Sequence, residues 1–135
     1  MVRVFVDTNV LVRYVIQDDV RKFEQVSSFF EAVSRGEVTL YLSSVVLLEM
    51  AFVLKSVYKK DTELIMTVVK KIAKTRGCVV VDRTNLKLAL GYLNKYKVKF
   101  SDCLIASSIP KGVKVFSYDD DFRKMKLDLI DPKGI

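Results

Sequence analysis

The chain has 135 residues, half of them apolar and 29% charged, which suits one domain with a sizeable core and excludes a disordered tail. It contains no His, hence no His general base, no Ser-His-Asp or Cys-His arrangement and no imidazole metal ligand. Its two cysteines, Cys78 and Cys103, are too few for a structural zinc site or a disulfide framework, and 23 Lys and Arg against 16 Asp and Glu favour an anionic partner, nucleic acid first.

The opening MVRVFV is too short an apolar run for a signal peptide, because Asp7 interrupts it. The stretch VVLLEMAFVL carries Glu49 in its middle and falls short of a membrane span, so the expectation is a cytoplasmic protein without a membrane partner. Val2 to Val6 reads as a buried strand and Asn9 to Ile16 as a first helix. Asp18 and Asp19 offer caps for a second helix with the stripe Val20, Phe23, Val26, Phe30 and Val33, ending at Gly36. Val38 to Leu42 is a second strand, Ser43 or Ser44 caps a long helix through Val57, and Asp61 caps another that ends before Gly77. Cys78 to Val81 is a third strand, followed by a helix with Leu86, Leu90 and Leu93. Ser101 caps a short helix stopped near Pro110, Val113 to Ser117 is a fourth strand and Leu127 to Ile130 a fifth.

Strands separated by helices imply an α/β domain with a mostly parallel sheet covered on both faces, read as a single domain over residues 1–135. In such folds ligands sit beyond the carboxyl ends of the strands. Those places are rich in acids: Asp7 ends the first strand, and Asp119, Asp120 and Asp121 follow the fourth. Glu49 has Val45, Val46, Phe52 and Val53 three and four residues away, which puts a carboxylate on an apolar helix stripe, where it requires a cation or a proton. Asp102 opens the SDCLIAS helix. Singly, Asp7 and Asp102 also fit helix-capping or first-turn roles. Together, acids without His or Cys form an oxygen-donor set that suits Mg²⁺ or Mn²⁺ and disfavours zinc.

The segments VFVDTNVLV, SSVVLLEMAFVL around Glu49, FSDCLIAS around Asp102 and FSYDDDF around Asp119 resemble, in order and spacing, a PIN domain. Within that superfamily the chain is most similar to VapC-type toxins of toxin–antitoxin pairs, from Val4 to Phe122. The resemblance implies a three-layer α/β/α fold with a five-stranded parallel sheet ordered 3-2-1-4-5. It also implies a divalent-metal-dependent endoribonuclease leaving 5′-phosphate and 3′-hydroxyl ends. Asp7, Glu49, Asp102 and Asp119 match the family's four acids, and Asp121 an auxiliary acid. Asn9 matches the asparagine of its DxN motif, and Ser117 the Ser or Thr that supports the fourth acid. Ser107 departs from the pattern, standing where Ala is commoner.

The same resemblance implies a homodimer with facing acidic pockets and a small DNA-binding antitoxin as partner. Phe29, Phe30, Leu47, Leu48 and Phe52 fit a dimer, as apolar side chains spilling around their helices. Lys95, Lys97 and Lys99, just before Asp102, are candidate RNA-phosphate contacts, and Tyr14 and Tyr118 are either stacking platforms or core. A phospho-receiver would need an acid beside Asp7, and a haloacid-type phosphatase a second Asp where Asn9 stands. The rival from another class is a PIN-like RNA-binding or assembly module without nuclease activity.

Overall fold

Val4, Phe5 and Val6 are each at most 1% exposed, and a strand buried at successive positions is covered on both faces. They belong to β1 (Val2–Val6). The structure, a computed structural model, describes residues 2–131. Helices α1 (Thr8–Val15) and α2 (Val20–Ser34) follow, the second capped by Asp19, which accepts from the Lys22 N–H at 3.1 Å. Next come β2 (Val38–Ser43) and α3 (Ser44–Ser56), with Ser43 Oγ accepting from the Val46 N–H at 3.2 Å. Asp61 caps α4 (Thr62–Ala73), accepting from the Leu64 N–H at 2.8 Å. The chain then turns at Gly77, whose φ of +83° suits a residue without Cβ, into β3 (Cys78–Val81). Helices α5 (Leu86–Tyr96) and α6 (Phe100–Ser108), strand β4 (Lys114–Phe116) and helix α7 (Asp120–Lys124) complete the order.

All strand pairings are parallel, in the order β3-β2-β1-β4, with Val4 opposite both Leu40 and Lys114. The core on the two faces of β1 includes Phe5, Phe29, Phe116, Phe122, Leu40 and Met50, all fully buried. Each contributes roughly 1.5–3 kcal/mol relative to exposure. Phe29 meets Phe116 edge-on at 5.3 Å, and Tyr14 stacks on Phe30 at 4.4 Å. Tyr118 donates to Gln25 Oε1 at 2.7 Å. Tyr14 and Tyr118 are thus occupied in packing and internal bonding.

Several expectations are corrected. The fifth strand is reduced to one parallel bridge, Val115 to Leu129, so the sheet has four strands ordered 3-2-1-4. The reason lies in β4, which is three residues long. Lys114 and Phe116 turn their backbone groups toward β1, and Val115 alone faces outward, donating to Asp128 O at 2.8 Å and accepting from the Ile130 N–H at 2.9 Å. Phe29 and Phe30 lie in the core at 0% and 9% exposure, not on an outer face, whereas Leu48 and Phe52 do stay exposed at 72% and 69%. The third strand is an exposed edge, with Val79 and Val80 both open. Helix α6 starts one residue before Ser101, with Lys99 at its cap position. Helix α7 was not anticipated. Asp119 caps it, and its acids in the first turn and Arg123 and Lys124 in the last complement the helix dipole.

Candidate metal centre

From β1 the chain steps outward through β2 to β3, and later returns to the opposite side of β1 as β4. The crevice at the carboxyl ends of β1 and β4, where the winding reverses, is where an open α/β sheet gathers ligands. Asp7 stands there at the end of β1, its N–H donating to Phe116 O at 3.1 Å. It occupies the N-cap position of α1, yet its side chain makes no capping hydrogen bond. Instead Asp7 Oδ2 accepts from Ser117 Oγ at 2.9 Å, and Ser117 Oγ accepts in turn from the Asp119 N–H at 2.9 Å. The Ser117 hydroxyl therefore ties the first acid to the backbone of the fourth.

Asp102 enters from the first turn of α6 and Glu49 from the middle of α3. Asp7, Glu49 and Asp102 each bring a carboxylate oxygen within 4.8 Å of the others, and Asp102, Asp119 and Asp121 form a second such group. Asp102 belongs to both. A cavity of about 220 Å³ opens between them, lined by Asp7, Glu49, Asp102 and Asp119 together with Thr8, Asn9, Phe52, Val53 and Lys99. Two larger cavities, of about 520 and 550 Å³, lie elsewhere and hold no such group. Lys95 lines the latter, its Nζ 5.2 Å from the centre of the Tyr96 ring, and Lys97 forms the left-handed end of α5. Of the three lysines only Lys99 reaches the acids, with Nζ 3.6 Å from Asp102 Oδ2 and 3.4 Å from Asp119 Oδ2.

Burial dominates the electrostatics. Asp7, 2% exposed, has its pKa pushed up to about 6 by desolvation, against the pull of the Ser117 and Thr8 hydrogen bonds and with added repulsion from Glu49 and Asp119. Asp102, 1% exposed, is raised well above the carboxylate range by burial first, then by its hydrogen-bonding contact with Asp121 and by the charges of Asp7 and Asp119, with Lys99 opposing. Asp119 moves the other way. Its burial is outweighed by the Asp121 N–H, by Lys99 and by a hydrogen bond from Asp102.

Among the described residues, three buried side-chain oxygens have no hydrogen-bond partner: Asp7 Oδ1, Thr8 Oγ1 and Asp102 Oδ2. All three belong to residues lining the acidic cavity. An unsatisfied buried polar atom costs about 1–3 kcal/mol, more when charged. Hard oxygen donors converging without His or Cys fit a cation such as Mg²⁺ or Mn²⁺, which would satisfy the orphaned carboxylate oxygens and cancel their repulsion. Thr8 was passed over in the sequence, although its place between Asp7 and Asn9 was a signal that it shares their end of β1.

Ser117→Ala removes both bonds of the hydroxyl bridge. It is expected to lower thermal stability by about 1–3 kcal/mol and to weaken Mn²⁺ binding by roughly 10–100-fold. Melting curves and a Mn²⁺ titration check both; unchanged binding would assign Ser117 to packing alone.

A PIN domain family model matches residues 4–127. A VapC ribonuclease of Aquifex aeolicus (strain VF5) is 28% identical over 128 residues, covering 93% of this chain and 94% of that protein. Among solved structures, VapBC2 from Rickettsia felis, bound to a DNA fragment from its promoter, superposes with a TM-score of 0.67 at 17% identity, over 95% of this chain and 97% of the other. FitAB bound to an IR36 DNA fragment superposes with a TM-score of 0.66 at 14% identity, over 96% and 94%.

Proposed function

Since the chain belongs to the PIN domain family, we propose that it is a divalent-metal-dependent endoribonuclease and the toxin of a VapBC-type pair. The observation that carries the reading is the convergence of Asp7, Glu49 and Asp102 within 4.8 Å, with buried carboxylate oxygens that no hydrogen bond satisfies. The similarity to a VapC ribonuclease over nearly the whole chain supports the substrate class and the toxin role. Asp7, Glu49, Asp102 and Asp119 would hold Mg²⁺ or Mn²⁺, with Asp121 completing the second group. When bound, such an ion neutralises charge on the scissile phosphate and makes water easier to deprotonate.

The chain's own residues do the rest. Asp7 and Asp102 are rigid: one is bonded to Ser117, the other sits in a helical turn, and both are almost wholly enclosed. Glu49 is half-buried and faces the cavity, so its carboxylate orients the attacking water and accepts its proton. Asn9, exposed at the rim of the cavity, is placed to contact the phosphate or its water. Lys99 supplies positive charge beside the reacting phosphate, whereas Lys95 and Lys97 serve the more distant backbone of the RNA. Phe52, exposed on α3, lines the acidic cavity, and with the exposed Leu48 of the same helix it suits a homodimer contact that sets two cavities along one groove. Structures of VapBC2 and FitAB on DNA support a small DNA-binding antitoxin as the partner. Among the described residues no helix is long and apolar enough to cross a membrane, in keeping with a cytoplasmic role.

Hydrolysis by water needs no 2′-hydroxyl nucleophile. The products are therefore expected to carry 5′-phosphate and 3′-hydroxyl ends, with Mg²⁺ or Mn²⁺ supporting cleavage and Zn²⁺ alone failing to. End-labelling of the fragments decides this. Ends bearing 2′,3′-cyclic phosphate would refute the mechanism, and binding of RNA without any cleavage would favour a non-catalytic module.

A further inference from the structure

The backbone around Lys99 is fixed from both sides. Lys97 turns left-handed at φ +55° to end α5, Val98 is buried at 8% exposure, and Lys99 occupies the N-cap position of α6 with its N–H 3.5 Å from Asp121 Oδ2. Beyond its Cα the four-carbon stem is free, the side chain being 64% exposed. The ammonium lies between Asp102 and Asp119, at 3.6 and 3.4 Å. Asp102 is the acid common to both ligand groups, so an ammonium and a divalent cation compete for the same carboxylate, and their mutual repulsion disfavours joint occupancy at contact distance.

We propose that Lys99 is a tethered counter-ion that a divalent cation displaces, and that the released ammonium then binds the RNA phosphate at the cleavage site. The proposal rests on the metal-nuclease reading above. Three features favour it. The stem is solvated, so the side chain leaves without disrupting the core. The residue is Lys, a point charge whose pairing is readily exchanged, and not the bidentate fork of Arg. The anchor is the cap of the helix that carries Asp102, so the displaced ammonium stays at the mouth of the acidic cavity.

The test is a Mn²⁺ titration at fixed salt, by calorimetry or electron paramagnetic resonance, of the parent, Lys99→Met, Lys99→Arg and Asp7→Asn. It is paired with KM for an RNA substrate at saturating Mn²⁺. Removing a unit charge beside a divalent ion near the surface is expected to tighten Mn²⁺ binding about tenfold in Lys99→Met. KM for RNA is expected to rise several-fold and to depend less on salt, with Lys99→Arg restoring both toward the parent. Unchanged or weaker Mn²⁺ affinity in Lys99→Met, or an unchanged KM, overturns the proposal and leaves the metal centre standing. A parent that binds Mn²⁺ no better than Asp7→Asn overturns the metal centre and the proposal together.

Discussion

Asp102→Asn is expected to abolish RNA cleavage, by roughly a thousandfold or more, while making the metal-free protein more stable. Asp102 is 1% exposed, with one oxygen lacking any hydrogen bond and with Asp7, Asp119 and Asp121 around it. Its raised pKa means that the fold resists its charge, and the isosteric amide carries none. The amide can also donate a hydrogen bond to a neighbouring carboxylate, which the ionised acid cannot. At neutral pH the gain is on the order of 1–4 kcal/mol, or several degrees of melting temperature for a domain of this size. Asp7→Asn should behave alike but more weakly, because it breaks the bond from Ser117. Calorimetry in EDTA decides the matter. A fall in melting temperature for Asp102→Asn would make the residue a structural ion-pair partner of Lys99 instead.

The pH dependence is the second large effect, and its sign is opposite to that of an ordinary ion-paired carboxylate. Asp7 and Asp102 have folded pKa values above their unfolded ones, so between pH 4 and the folded values the native state holds more protons than the unfolded chain. Stability of the metal-free protein should accordingly fall as pH rises from about 4 through about 6 for Asp7, and further for Asp102. For Asp7 alone, a rise from 3.8 to about 6 corresponds to on the order of 3 kcal/mol. A divalent cation bound to the deprotonated acids is expected to reverse the trend. Its stabilisation, about 2.7 kcal/mol at a hundred times Kd, should be large at pH 7.5 and small at pH 5. Melting curves over this range with and without Mg²⁺ test the pattern, and Asp7→Asn should flatten it.

The helix caps were legible in the sequence, Asp61 outright and Asp19 and Ser43 to within one residue, because a cap is a bond between residues three apart and needs no tertiary context. The apolar run Val4 to Val6 marked the central strand for a similar reason: burial on both faces leaves no alternation to interpret. Residues 127–130 carry strand propensity too, but their pairing is limited by the three residues of β4, which that segment does not reveal. Helix α7 was hidden because Asp119 and Asp121 read as metal ligands, although a capping Asp119 followed by first-turn acids also favours a helix start.

The acids of the site were legible as a group, while their individual environments were not. Glu49 stood out as the buried, strained carboxylate on an apolar stripe. In the structure the buried line of α3 is Val46, Met50 and Leu54, so Glu49 lies at its border, half-buried and facing the cavity. The burial falls on Asp7 and Asp102, set by the crevice between β1 and β4 and by the tight α5–α6 turn. The stabilisation expected on losing a charge therefore belongs to Asp102 and not to Glu49. Lysine spacing was equally mute: Lys95, Lys97 and Lys99 alternate in sequence, but the left-handed turn at Lys97 sends only Lys99 to the acids.

We propose that the carboxylates gathered at the ends of β1 and β4 hold the cation on which RNA cleavage depends. The most direct test follows bound Mn²⁺ and RNA cleavage in the same samples, for the parent and for Asp7→Asn. Cleavage is expected to be absent in EDTA, to rise in proportion to bound Mn²⁺ in the parent, and to stay absent at every Mn²⁺ concentration in Asp7→Asn. Cleavage at full rate in EDTA, or in Asp7→Asn, would contradict it.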